Sequence, residues 1–381
     1  MGREAVDITT RLTRREAIGR GAAAGLAALA AVAGRVTTSE AAQASTARGT
    51  RRGVVQTVLG PVETSTLGFT LSHEHVCIGG PGLWQTWPEL FGGRESFVRA
   101  TVETLKRAKD AGVDTIIDVT TLDLGRDVRL LQEVSRQSGV RLIASTGHWL
   151  DPSRAFAART VEELTSFFVR EIQVGIDGTG IRPGVIKVAN ANSAIEGFGE
   201  KLLRAAARAS TATGVPVTTH APPEDRTGEK QAAIFESEGL SPGRVCIGHS
   251  DNSAEDYRMG LARRGYYLGM DNLPRGNPTP VGMPMAQPKG LTFDQRLSAI
   301  KALVDAGLAS RVMLGSDHSL SMMFLPTDVE RQRLATSGDG ILFVPRRVVP
   351  ALKAIGVSDA AIRTMTVDAY RRFFDDAAGG A

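Results

Sequence analysis

The chain has 381 residues, 42% of them hydrophobic and 23% charged, an ordinary globular composition that suits one large α/β domain or two smaller ones. Residues 1–52 hold nine Arg, no Lys and four acids and so carry +5; the whole chain is at +4, which leaves residues 53–381 at −1. That near-neutral body argues against nucleic acid as a partner, and no stretch is long and apolar enough for a stable membrane span.

In chain order, the first feature is Arg14-Arg15 in TRREAIG, followed by the weakly apolar GAAAGLAALAAVAG (21–34) and then Ala42-Gln43-Ala44, an A-x-A cleavage pattern. It resembles a twin-arginine export signal, so the expected location is the periplasm, the cell envelope or the exterior. Residues 1–44 are expected to be the signal peptide, 45–53 a linker and 54–381 the folded domain. VVQTVLGPVE (54–63), with a Gly-Pro turn, predicts a short hairpin ahead of that domain.

Eight β-branched runs follow: FTLSHEH (69–75), TIIDVT (115–120), RLIAST (141–146), GVIKVA (184–189), VPVTTH (215–220), VCIGH (245–249), YYLGM (266–270) and RVMLGS (311–316). Amphipathic segments alternate with them, among them 95–112, 161–176 and 293–307, and several close on Gly before the next strand. Strand–helix alternation repeated eight times predicts a parallel sheet closed into a (β/α)8 TIM barrel with a short N-terminal β-hairpin. An open doubly wound sheet is the alternative, but no Gly-rich phosphate loop follows any strand. Cys77 and Cys246 both follow strand-like residues, which predicts buried free thiols.

His73 and His75 flank Glu74 at the end of the first strand. On a strand, residues i and i+2 share a face, so the two histidines project together while Glu74 points away; on a helix they would diverge. The other four histidines fall at or just after strand ends too: His148, His220, His249 and His318. Barrel enzymes build their sites at that C-terminal face, so His73, His75, His220 and His249 form a candidate metal site, with Asp317 at the end of strand 8 and Lys187 inside strand 4. Imidazoles and a carboxylate suit Zn²⁺, with Mn²⁺, Co²⁺ or Fe²⁺ as alternatives. A buried lysine is costly as a cation. As a neutral amine near metal it can add carbon dioxide and become an anionic carbamate.

The order H-x-H, Lys, His, His, Asp on successive strands resembles the amidohydrolase superfamily. GFTLSHEHVC, WPELFG, GRDVRLL, IKVA, GVPVTTH, QAAIFESEGLSPGRVCIGHSD and GSD resemble the bacterial phosphotriesterase family, from about residue 54 to the C-terminus. The resemblance implies two divalent metal ions: one held by His73, His75, carboxylated Lys187 and Asp317, the other by His220, His249 and the same carbamate. It implies a bridging hydroxide that attacks the phosphorus of a small neutral triester, with Asp317 as proton acceptor. It also implies an apolar substrate pocket that includes Trp87, Leu124, Trp149, Leu150 and SLSMMF (319–324), with Asp271, Asn272 and Arg275 beside it.

The sequence departs from the family pattern at four positions. Asn272 and Asn252 stand where the resemblance leads to titratable groups of an outward proton relay, and neither titrates near neutral pH. Arg275 stands where another histidine is common, and His318 replaces a tryptophan, which makes His318 a candidate substitute shuttle. A lactonase or esterase using the same hydroxide on a carbonyl is the alternative activity. The long insertion NLPRGNPTPVGMPMAQPKG (272–290) resembles the triesterase form of that loop. A periplasmic binding protein on an inactive barrel is the third reading, and retention of Lys187 and Asp317 argues against it. Monomer and homodimer both stay open.

Overall fold

The computed structural model describes residues 53–150, 152–223, 225–273, 290–323, 327–336 and 338–378. The expected signal segment, Arg275 and most of the 272–290 insertion lie outside the described residues, as does Phe324.

The hairpin forms from β1 (Val54–Thr57) and β2 (Gly60–Glu63), paired antiparallel. Its turn is Val58-Leu59, and Gly60 (φ 109°) opens β2. The turn therefore precedes the Gly-Pro pair instead of falling on it. Thr57 supports it, its hydroxyl donating to the Gly60 carbonyl and accepting from Leu59 N–H.

The eight strands predicted for the barrel are all present and parallel: β3 (Thr70–Glu74), β4 (Thr115–Asp118), β5 (Arg141–Gly147), β6 (Val185–Ala189), β7 (Val217–His220), β8 (Val245–Ile247), β9 (Tyr267–Met270) and β10 (Val312–Leu314), paired in chain order. The sheet closes just beyond β10. Asp317 N–H donates to the His73 carbonyl, His75 N–H to the His318 carbonyl and Leu320 N–H to the His75 carbonyl, each at 2.9 Å. The seam thus runs through residues proposed to bind metal.

Helices cover the outside: α1 (Arg94–Asp110), α2 (Val128–Ser138), α3 (Val161–Val174), α4 (Gly197–Thr213), α5 (Thr227–Ser237), α6 (Glu255–Arg263) and α7 (Phe293–Asp305). Thr160–Glu163 and Thr292–Gln295 form reciprocal capping boxes that start α3 and α7 at the expected residues. Ile116, Leu142, Ile186, Val245, Leu268 and Leu314 face this helical layer. Their neighbours Ile117, Ile143, Val185, Cys246, Tyr267 and Met313 fill the lumen, as period-two alternation requires. The base of the lumen is plugged by α8 (Ala369–Ala378), through Tyr370 and Phe373, and by Val55 of the hairpin. Both cysteines are free and buried.

Two residues up four of the strands the lumen changes character. Above Val185 comes Lys187, and above Cys246, Tyr267 and Met313 come Gly248, Gly269 and Gly315. A Cβ on Gly315 would stand 3.0 Å from Asp271 Cβ, one on Gly269 2.3 Å from Asp271 Oδ2, and one on Gly248 3.4 Å from His73 Nδ1. These glycines leave the space that the polar layer occupies.

Phe373 is fully buried at the base, edge-on to Tyr267 with ring centroids 5.2 Å apart. Phe373→Ala should cost about 3–5 kcal/mol of stability in denaturant unfolding, while metal uptake at the opposite end of the barrel stays normal.

Candidate metal centre

β3 is irregular. Leu71 pairs with Ile116 but Glu74 pairs with Asp118, so β3 carries one extra residue between them. Regular alternation would place His73 and His75 on the same outward face as Leu71, which packs under the helices. The bulge reverses the facing, and both imidazoles enter the lumen. Glu74 points away from them, to Ser316.

His73 is central. Its Nε2 lies 2.6 Å from Lys187 Nζ and 3.8 Å from Asp317 Oδ1, and His75 Nε2 lies 3.5 Å from the same carboxylate oxygen. A second pair stands beside the first, with His249 Nε2 2.7 Å from His220 Nδ1. The His73 and His249 rings are 4.8 Å apart, centroid to centroid. Every residue expected to bind metal therefore converges at the C-terminal end of the barrel.

The far nitrogens are already engaged. Asp271 Oδ1 accepts from His249 N–H and is 2.8 Å from His249 Nδ1, and its Oδ2 is 3.1 Å from His73 Nδ1. Thr120 Oγ1 is 2.9 Å from His75 Nδ1. One carboxylate thus lies against the Nδ1 atoms of two imidazoles and leaves their Nε2 atoms turned to Lys187 and His220, the kind of outer support that orients imidazoles in metal sites. Asp271 was expected beside the substrate pocket; at 1% exposure it is instead a support beneath the histidines.

Electrostatics agree with a site built for cations. Burial, then the nearby Lys187, pushes the His73 imidazolium down to about 3. His220 is lowered well below its usual value by burial and by His249. Burial also lowers Lys187 to about 8. For Asp271 burial acts upward, but His249 and His73 outweigh it and hold the carboxyl below its ordinary range. His73 and His220 are therefore neutral donors and Asp271 is ionised. His249 (φ 59°) and Asp317 (φ 47°) both adopt left-handed backbone, a strain that persists only where surroundings enforce it. The donor set fits divalent metal: imidazole nitrogens, a carboxylate and a lysine, with the His/Asp group of His73, His75 and Asp317 close enough to share one ion.

The pocket residues divide. Trp149 stands edge-on to His220, centroids 5.8 Å apart, its backbone N–H held by Asp123. Leu124 and Leu150 are half-buried, and Trp87 is 50% exposed. Asn272 is buried, its N–H donated to Asp251 and its side-chain oxygen without a partner among the described residues. Asn252 accepts Leu291 N–H at 2.7 Å, so it anchors the returning end of the 272–290 insertion. His318 does not join the metal cluster. Its ring lies against Gly340 and lines a cavity of about 410 Å³ with Phe97 and Thr101 of α1. The expected shuttle role is not supported by that placement. His148 stacks near Phe156 and Phe198.

Thr120 and the supporting role of Asp271 escaped the sequence reading. Strand-end position was the available signal for Asp271, and nothing in TIIDVT marks Thr120.

The sequence profile of the phosphotriesterase family matches residues 53–374. An aryldialkylphosphatase of Saccharolobus solfataricus is 31% identical over 316 residues, covering 82% of this chain and 96% of that protein. The solved structure of the phosphotriesterase from Mycobacterium tuberculosis superposes with a TM-score of 0.74 at 32% identity, covering 84% of this chain and 98% of that one. An N-acetyltaurine hydrolase of Salmo salar is 26% identical, covering 84% of this chain and 97% of its own length.

Asp271→Asn keeps the shape but leaves one oxygen for three donors. Metal titration of the apoprotein should show affinity reduced about 10- to 100-fold. A second expectation concerns His318, which burial, then Arg333, lowers to about 4. Between pH 4 and 6.5 the unfolded chain binds a proton there that the folded chain does not. The stability this adds is therefore complete above pH 6.5 and is lost as pH falls. Relative to His318→Asn, the wild-type apoprotein should lose stability progressively as pH falls across that window in denaturant titrations.

Proposed function

Because the chain is a hydrolase that belongs to the phosphotriesterase family, we propose that it hydrolyses small neutral organophosphate triesters at the centre formed by His73, His75, Lys187, His220, His249 and Asp317. The observation that carries this reading is the convergence of these six side chains, with Asp271 fixing the tautomers of two of them. His73, His75, Lys187 and Asp317 would hold one divalent ion and His220, His249 and Lys187 a second, zinc first among the candidates. Bound there, the ions supply a water acidic enough to lose its proton near neutral pH and positive charge for the substrate's polar oxygen.

The chain's own groups do the rest. Lys187, with its pKa drawn down by burial, has a neutral amine within reach near neutral pH. That amine can add carbon dioxide, forming an N–C bond and releasing a proton, to give a carbamate anion with two oxygens. Asp317 directs Oδ1 toward His73 and His75 and would take the proton lost by the attacking water. Trp149 closes one wall beside His220 and excludes solvent from an apolar substrate.

A second reading, hydrolysis at a carbonyl by a lactonase or esterase, is favoured by two observations. One relative is named for an amide hydrolase, and Asn252 is committed to Leu291 instead of a proton relay. Kinetics of one metal-defined sample on a nitrophenyl triester and on a lactone separate the two. Turnover of the lactone alone would transfer the assignment to carbonyl chemistry.

Lys187→Ala should lose metal and activity, and added formate or acetate with metal should restore part of both. Two metals per chain in Lys187→Ala without added acid would refute the bridging role.

A further inference from the structure

The glutamate between the two histidines has no part in the chemistry above, yet it is fully buried and fully bonded. Glu74 Oε1 accepts Ser316 N–H at 2.6 Å, while its Oε2 accepts the Ser316 hydroxyl at 2.6 Å and His318 N–H at 3.0 Å. These two amides flank Asp317. The Asp317 N–H donates to the His73 carbonyl, and the His318 carbonyl accepts His75 N–H, both at 2.9 Å. The segment 316–318 is therefore bound along its length to β3, and the residue in the middle has φ 47°. An aspartate in that region relaxes toward extended backbone unless its neighbours are held. Relaxation would swing its carboxylate away from His73 and His75.

We propose that Glu74 is the positioning residue for Asp317: its carboxylate clamps the amides on either side and so aims the Asp317 side chain into the metal centre. The two side-chain oxygens of Glu74 accept three donors at once. Glutamine keeps the shape but offers one acceptor oxygen and an NH2 that faces donors. The two histidines and the clamp that sets their partner ligand thus come from one tripeptide. The inference rests on the reading of Asp317 as a metal ligand.

The test uses the full chain, stripped of metal and reloaded with Co²⁺, whose visible absorption reports coordination. Asp317→Asn, Glu74→Gln and Ser316→Ala are compared with wild type by absorption spectrum, by the two Co²⁺ dissociation constants and by thermal unfolding. Glu74→Gln should shift the spectrum in the direction Asp317→Asn does and weaken one of the two ions about 10- to 100-fold. Ser316→Ala, which removes one of three bonds, should do the same to a smaller degree and serves if Glu74→Gln fails to fold. A merely structural role would lower the unfolding temperature and leave spectrum and affinities alone; that result overturns the proposal. An Asp317→Asn spectrum identical to wild type would overturn the ligand reading and this inference together.

Discussion

One extra residue in β3 decides what this barrel can do. Without it, His73 and His75 would lie with Leu71 under the helices, where unpaired imidazoles are costly and useless. With it, a single short strand is apolar on its outer side at Leu71 and ligating on its inner side two residues later. The remaining polar layer is arranged around that change. Gly248 leaves room for the inward ring of His73 and Gly269 and Gly315 for Asp271, whose Oδ2 lies beside the far nitrogen of that ring, while Thr120 meets that of His75. The seam with the last strand also forms there, because the bulged segment offers its carbonyls and amides to residues 317–320.

The site concentrates polar groups that a protein interior tolerates only when each has a partner. Here the partners are mostly one another: imidazole facing imidazole, lysine facing imidazole, one carboxylate spanning two rings. Several of these contacts are between groups of like character, such as His73 with Lys187 and His249 with His220. Each is a hydrogen bond in one tautomer, and once the shared proton is lost the two nitrogens offer lone pairs that a cation can take. The left-handed backbone at His249 and Asp317 belongs to the same design, since two donors are held where relaxed chain would not put them.

Much of this was legible from the chain alone. Strand–helix alternation gives the barrel, and histidines at strand ends, with Asp317 and the in-strand Lys187, give the face and the six candidate metal-site side chains. What was not legible depended on register. Plain alternation predicts the right relation between His73, His75 and Glu74 but for the wrong face, because a bulge leaves no mark in FTLSHEH. Asp271 reads as one more mouth residue until its depth is known, and Thr120 is one of many strand threonines. Asn252 reads as a lost proton carrier, whereas its place against Leu291 N–H shows a backbone-anchoring task that an amide performs well. His318, adjacent to Asp317 in sequence, turns away from the centre to line the cavity beside Gly340.

The closure of the barrel also has a consequence for how the molecule comes into being. Glu74 and Ser316 are 242 residues apart, and the lumen base is sealed by Tyr370 and Phe373 near the end of the chain. On a growing polypeptide, β3 therefore waits as an unpaired edge until nearly all of the chain has been made, and edges of that kind invite wrong pairing. Local strand–helix units can assemble in order as they emerge. The ligand set cannot, because its first and last members meet only when the ring shuts. Completion of the His73, His75 and Asp317 group is thus tied to the final, long-range step of folding, the kind of contact that is slow to form.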